Sequence, residues 1–292
     1  MILIGENINV MSTKIGVAMK NKDAKPIREL ALAQQKAGMD YMDINVGPSK
    51  RRGPDVMDWI VKTIQEVVDL PLFLDTTNVE TIEVGLKAHM GEAVINSISC
   101  RPERMQALFP LVKKYGAAFV GLLWGIEGMP RDAAERGANA ADLLAGAAEQ
   151  EIADEKMWLD PIVTPVSAQQ DQVRALLEFM EMCKDIAPES KSTCGLSNVS
   201  NGTPEELRPI LNQTYLMMLM KYGLDSAIVN AFDTELIAIA RGEREDLVNL
   251  VHRVMDGEDV APDALSQQEI DYVKTTKLLM GESLYSHSWL KL

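Results

Sequence analysis

The chain has 292 residues, 47% of them hydrophobic and 25% charged, the balance of a soluble globular protein long enough for one large α/β domain or two small ones. A formal net charge of −14 argues against nucleic acid or an anionic membrane as the main partner. The three cysteines (Cys100, Cys183, Cys194) and three histidines (His89, His252, His287) are scattered, which excludes a disulfide framework and leaves no pair at metal-ligand spacing.

In chain order, the first apolar run is 2–4, and it ends in Gly5-Glu6-Asn7-Ile8-Asn9. There is no basic segment followed by a long apolar run, and no stretch of transmembrane length, so a cytoplasmic location is expected. Residues 23–37 have helical periodicity with Ile27, Leu30, Ala31 and Ala33 on one side, and Gly38 stops them. Residues 41–46 read as a strand in which Asp43 and Asn45 alternate with Met42, Ile44 and Val46. Helix 56–68 and strand 70–74 follow, the strand ending in Asp75-Thr76-Thr77-Asn78. Then come helix 79–89, strand 93–95 ending in Asn96-Ser97, helix 104–115, and strand 117–123 ending in Trp124-Gly125. An Ala-rich helix 131–150 precedes strand 157–159, which ends in Asp160-Pro161; helix 170–186 follows. Strand 192–196 runs into Ser197-Asn198-Val199-Ser200, and a helix from 204 to 221 has Thr203 as its expected N-cap. Strand 226–229 ends in Asn230-Ala231-Phe232-Asp233, and three more helices (234–240, 243–255, 267–280) complete the pattern.

Strands that each lead into a helix imply βαβ units and a parallel sheet. About eight of them in a chain of this length predict a (β/α)₈ TIM barrel, with residues 1–292 as one domain and 243–263 as a helical insertion before the last barrel helix. The alternative is an open doubly wound sheet, but neither a Gly-x-Gly-x-x-Gly fingerprint nor a Walker A motif is present. In a barrel, the strand C-termini form the catalytic face. Here they supply Asn7, Asn9, Asp43, Asn45, Asp75, Asn96, Asp160, Asn198, Asn230 and Asp233, nearly all Asp or Asn. Such groups suit the donor and acceptor edge of a nitrogen-rich heterocycle such as a pterin. Asp and Asn also cap helices and form turns, and Asp75 and Asn96 fit that explanation least, because several residues separate them from the next helix.

Six segments in order carry a resemblance: Gly5-Glu6-Asn7-Ile8-Asn9, Asp43-Ile44-Asn45-Val46-Gly47-Pro48, Leu74-Asp75-Thr76-Thr77-Asn78, Ile95-Asn96-Ser97, Leu159-Asp160-Pro161 and Gly195-Leu196-Ser197-Asn198-Val199-Ser200. Together they resemble the pterin-binding methyltransferases, and most closely the methyltetrahydrofolate:corrinoid protein methyltransferases, whose relatives include the methylcorrinoid:tetrahydrofolate methyltransferases of demethylase systems. The resemblance implies methyl transfer between N5 of tetrahydrofolate and the cobalt of a corrinoid (cobalamin) carried by a partner protein. It also implies a homodimer, and one site serving either direction of transfer. Asp75, Asn96 and Asp160 then hold the pterin edge, Gly195 and Ser197 line its pocket, Arg208 lies near it, and Asn198 is the catalytic amide that reaches N5. No resident metal is implied. Dihydropteroate synthase is a weaker match: the loop after the sixth strand reads Asp160-Pro161-Ile162-Val163-Thr164-Pro165 and lacks that enzyme's lysine, and the chain ends in Ser286-His287-Ser288-Trp289 in place of a Ser-x-Arg motif. The alternatives are thus a synthase of that type or a non-catalytic pterin-binding protein. Trp124 is placed to cover a corrinoid or to cap the barrel, Lys50-Arg51-Arg52 to meet a folate tail or an acidic partner, and Cys194 reads as a small core residue.

Overall fold

The computed structural model describes residues 1–48 and 51–291. Among them, eight strands and eleven α-helices follow one another. The order is β1 (Ile2–Asn9), α1 (Thr13–Asn21), α2 (Ala24–Lys36), β2 (Tyr41–Asn45), α3 (Gly53–Gln65), β3 (Leu72–Asp75), α4 (Val79–Ala88), β4 (Val94–Ser99), α5 (Pro102–Tyr115) and β5 (Ala118–Leu122). It continues with α6 (Ala133–Glu149), β6 (Met157–Asp160), α7 (Val166–Ile186), β7 (Lys191–Ser192), α8 (Arg208–Lys221), β8 (Ser226–Val229), α9 (Thr234–Ala240), α10 (Glu245–Met255) and α11 (Gln267–Leu279).

All strand pairs are parallel, in the order β7-β6-β5-β4-β3-β2-β1-β8. A bridge between Gly195 and Ile228 joins the two ends, and Ile228 N donates to Cys194 O at 2.8 Å. The sheet is therefore a closed (β/α)₈ barrel, as expected. Closure is helped by Asp225, whose Oδ2 accepts from Ser192 N at 2.7 Å and from Ser192 Oγ at 3.0 Å.

Strand alternation sorts the apolar residues into two sets. Leu3, Met42, Ile44, Leu72, Leu74, Ile95, Phe119, Leu159, Ala227 and Val229 belong to the large core that the strands share with the helices. Ile4, Phe73, Val94, Ala118, Val120, Trp158 and Ile228 form a second cluster that fills the barrel interior. At its floor, Tyr41, Phe73 and Trp158 meet edge to face with ring centroids 5.3–5.6 Å apart, and Lys191 Nζ lies 5.1 Å from the Trp158 ring centre. The lower barrel interior is a packed apolar plug.

Several local expectations need correction. The seventh strand is two residues long, not five, and Leu196–Ser200 forms a 3₁₀ turn instead. Thr203 does not cap α8: its Oγ1 lies 2.7 Å from the Tyr285 hydroxyl, Glu205–Leu207 makes a further 3₁₀ turn, and α8 begins only at Arg208. Helix α1 was not expected. It buries Ile15, Ala18 and Met19, and Gly16 lets it lie against β1's exit, since a Cβ there would stand 2.3 Å from Val10 O. The segment 243–263 is more than an exposed appendage. Its helix α10 buries Leu247, Leu250, Val251 and Val254, His252 Nε2 lies 2.8 Å from Met217 O, and Lys221 pairs with Asp256 at 2.6 Å. With α11 it covers the outer side of α8, so residues 211–219, Met217 and Met218 among them, are all buried.

Candidate active site

Above the apolar plug, the same alternation changes chemistry. Two residues beyond interior Ile4 is Glu6, beyond Phe73 is Asp75, beyond Val94 is Asn96, beyond Trp158 is Asp160, and beyond Ile228 is Asn230. Asp43 and Asn45 follow Tyr41 in the same way. Asn45 pairs in register with Asp75, and Asp75 with Asn96. The barrel thus carries a collar of carboxylates and amides directly over its hydrophobic filling.

Three of these groups are each held from behind. Asn45 Nδ2 donates to Asp75 Oδ2, and Asn45 is itself oriented because its Oδ1 accepts from Gly47 N at 3.0 Å. Asn96 Nδ2 donates to Asp43 Oδ1 at 2.9 Å. Asp160 Oδ1 accepts from Ile162 N at 2.8 Å. That last bond needs an unusual backbone: Ile162 has φ of +68°, a left-handed conformation rare for a β-branched residue. Arg136 secures it, being fully buried and donating Nε to Pro161 O at 2.8 Å. Asp75, Asn96 and Asp160 each keep an oxygen free of these rear contacts, so the collar presents fixed acceptors.

The site is electrostatically unusual. Burial raises the Asp75 carboxyl to about 6, opposed by the Asn45 amide. Burial likewise raises Asp160 to about 6, against the Ile162 N–H and Arg136. Asp43 is pushed well above the ordinary range by burial and then by neighbouring Asp75. Glu6 is raised by burial, with Ser197 and Arg208 pulling back. Acids held this way gain from a ligand that brings N–H donors to them.

The fourth wall is the turn after β7. Ser197 Oγ donates to Glu6 Oε1 at 2.8 Å, Ser200 Oγ donates to Ser197 O at 3.1 Å, and Arg208 Nε donates to Ser200 Oγ at 3.3 Å. Glu6 and Arg208 clamp the turn between them. Asn198 stands exposed at its tip, its Oδ1 accepting from Asn201 Nδ2 at 3.1 Å. Gly195 makes room for that amide, since a Cβ there would lie 3.0 Å from Asn198 Nδ2. A polar cavity of about 290 Å³ opens beside the turn, lined by Glu6, Asn7, Ser197, Arg208, Asn212 and Asn230 among others.

All seven residues named from the sequence (Asp75, Asn96, Asp160, Gly195, Ser197, Asn198, Arg208) lie on this face. Other strand-end groups serve the backbone. Asp233 caps α9 by accepting from Leu236 N, Asn9 Oδ1 accepts from Met11 N, and Asn7 and Asn230 bond to each other at 2.9 Å. Glu6 was missed as a site residue, though its spacing from Ile4 carried the signal. Trp124 is 36% exposed at the rim. Arg52 donates to Lys20 O at 2.7 Å, Arg51 is exposed, and Lys50 lies outside the described residues. Cys194 is fully buried. Among the described residues, no three His, Cys, Asp or Glu side chains gather in a metal-holding arrangement, and no helix is long and apolar enough to cross a membrane.

Residues 5–230, which span the barrel from β1 to the end of β8, match the model of the family described as pterin binding enzyme. The chain belongs to this family. It is 26% identical over 239 residues to a methylcorrinoid:tetrahydrofolate methyltransferase from Eubacterium limosum, covering 81% of this chain and 88% of that one. It is 28% identical over 265 residues to a methionine synthase from Mycobacterium leprae, covering 86% of this chain but only 22% of that much longer protein. Among solved structures, a dihydropteroate synthetase superposes with a TM-score of 0.63 at 18% identity, over 84% of this chain and 94% of the other, a likeness of fold. The family match stops before α10, so that helix and the rest of the segment 243–263 lie beyond the matched barrel.

The pH dependence of pterin binding follows from the raised carboxyls. A protonated carboxyl offers one acceptor oxygen fewer, so donors on the ligand favour the ionised form and binding releases protons. With these carboxyls as acceptors for the ligand's donors, affinity for a pterin should fall as pH drops through about 6, the value to which burial raises Asp75 and Asp160, and level off above. Dissociation constants measured across that range check this; an affinity flat from about pH 5 to 7 would mean these carboxyls do not receive ligand donors.

Proposed function

We propose that this pterin-binding enzyme moves a methyl group between N5 of tetrahydrofolate and the cobalt of a corrinoid carried by a partner protein. The observation that carries this reading is the collar of fixed acceptors, Asp75, Asn96 and Asp160, on the same barrel face as the exposed Asn198 amide. The activity for which the Eubacterium limosum relative is named supports it, as does the match over 88% of that chain.

The reacting methyl lies between N5 and cobalt, and transfer in line leaves a proton to be managed at N5. Asp75, Asn96 and Asp160 accept the pterin's N–H groups and fix the ring in one orientation, which aligns the methyl group. As the N–CH3 bond breaks, N5 keeps its electrons and takes a proton from solvent, and Asn198 accepts a hydrogen bond from that N5–H through Oδ1, stabilising it without a strong acid. To do so it gives up its bond to Asn201. Ser197, Glu6 and Arg208 hold the turn that carries it. The open rim, with Trp124 on it, admits a protein-bound group. Residues 1–292 act as one catalytic domain in this reading, with α10 an addition outside the barrel, and the enzyme works as a homodimer with the corrinoid protein as its macromolecular substrate.

Single-turnover mixing of the protein with 5-methyltetrahydrofolate and free cob(I)alamin tests the reading. Formation of methylcobalamin and tetrahydrofolate is expected. Tight pterin binding without transfer to any corrinoid would instead mark a non-catalytic binder, and condensation of a pterin pyrophosphate with an arylamine would mark a synthase. No Cys and His in the sequence have metal-ligand spacing, so prolonged treatment with a chelator should leave the rate unchanged. Activity lost to the chelator and restored by zinc would overturn the mechanism.

A further inference from the structure

Asp43 has no place in the mechanism above, yet it is the acid most deeply set in the collar, 4% exposed beneath the residues that face the mouth. A buried acid beside two other acids, Asp75 and Glu6, is unfavourable for the fold. An apolar side chain would continue the plug formed by Phe73, Val94 and Trp158 without that cost. Among the described residues its one side-chain hydrogen bond runs to a pterin-facing group: Asn96 Nδ2 donates to Asp43 Oδ1 at 2.9 Å.

That bond decides which end of Asn96 faces the ligand. The two ends of a primary amide have nearly the same shape and opposite hydrogen-bonding character. With one Nδ2 hydrogen spent on Asp43, the Oδ1 atom and the second Nδ2 hydrogen are left for the mouth. An amide so oriented matches a donor lying next to an acceptor, whereas a carboxylate matches two adjacent donors. A reduced pterin offers both edges. Its exocyclic amine and N3–H are adjacent donors suited to the carboxylates Asp75 or Asp160. Its N8–H and bare N1 form the donor–acceptor pair suited to Asn96. In an oxidised pterin N8 carries no hydrogen, and Asn96 Oδ1 would face a lone pair.

We propose that Asp43 is a positioning residue that locks the Asn96 amide with its carbonyl oxygen toward the ligand, and so makes the site selective for the reduced over the oxidised pterin ring. The inference rests on the reading of this collar as the pterin site. It predicts a selectivity that acts through Asn96 alone.

The test is a set of titrations with tetrahydrofolate and with folate, whose rings differ in oxidation state. The wild-type protein should prefer tetrahydrofolate. Asp43→Ala frees Asn96 to turn over and should reduce that preference by about ten-fold, the change expected when one positioned hydrogen bond is lost. Asp43→Asn should keep the preference, because its own Oδ1 can still accept from Asn96. In an Asn96→Ala background, Asp43→Ala should change the ratio no further. If Asp43→Ala does not fold, Asp43→Leu, close in size and apolar like the plug below, serves in its place. An unchanged ratio in either variant, or an equal loss in the Asn96→Ala background, overturns the inference while leaving the pterin site standing. A wild-type protein that binds neither ligand overturns both.

Discussion

Asn198→Ala should lower kcat for methyl transfer by about 10²–10³, the usual consequence of removing one preorganised dipole from a transition state, while weakening pterin binding far less. The geometry makes this the largest effect expected at the site. Asn198 is exposed at the tip of a turn that is clamped at both ends, by Ser197 to Glu6 and by Ser200 to Arg208. A side chain in such a place adds little to the packing of the fold. In the ligand-free protein its Oδ1 is engaged by Asn201 Nδ2 at 3.1 Å, so the contact with N5 replaces an existing hydrogen bond and gains little in the ground state. Its value lies where N5, keeping the electrons of the breaking N–CH3 bond, takes up a proton and presents an N5–H to Oδ1, and an interaction confined to that point acts on kcat. Asn198→Asp keeps an acceptor for the protonated amine and should recover part of the rate. Single-turnover transfer to cob(I)alamin at saturating 5-methyltetrahydrofolate is the measurement, with affinity titrated in parallel. A variant that transfers at the normal rate once saturated would make Asn198 a pocket-lining group and place the activation of N5 elsewhere.

The barrel was legible because every strand but the seventh is centred on a short apolar run between helical periodicities, and parallel pairing follows from that alternation. The site was legible where an Asp or Asn came straight after such a run, as with Asp75, Asn96 and Asp160. What escaped had physical causes. Lys191–Ser192 is the whole of β7, because closure there relies on Asp225 bonding Ser192 more than on a strand ladder, and no apolar run marks it. Helix α1 begins at Thr13 without a side-chain cap and contains Gly16, so neither a start signal nor propensity announces it. Thr203 looked like a cap by residue type, but a hydroxyl partner from a segment 82 residues away had the stronger claim. Glu6 lies mid-strand, and recognising it requires knowing that the face of β1 carrying Ile4 turns inward.

Asp75→Ala and Asp160→Ala should each weaken binding of 5-methyltetrahydrofolate by about 1–3 kcal/mol, because each leaves N–H donors of a buried heterocycle without an acceptor. The stability of the ligand-free protein should respond differently. Burial lifts both carboxyls from the ordinary 3.8 to about 6, so between those values the folded protein holds protons that the unfolded chain has released. Stability on their account falls as pH rises through that window and stays at the lower level at neutral pH. Removing either carboxyl at neutral pH therefore relieves a penalty. Against this stands the loss of a rear contact, the Asn45 amide for Asp75 and the Ile162 N–H for Asp160. The two effects oppose each other, and the melting temperature at neutral pH should hold or rise while affinity falls. At a pH below the ordinary carboxyl value the penalty is absent and only the lost contact remains, so the same variants should there be less stable than wild type. Helix caps would behave in the opposite way, with affinity preserved and the melting temperature lowered at neutral pH, since a capping carboxylate stabilises the fold in its charged form. Melting curves at the two pH values, set beside ligand titrations, decide between a collar built for a ligand and one built for the barrel.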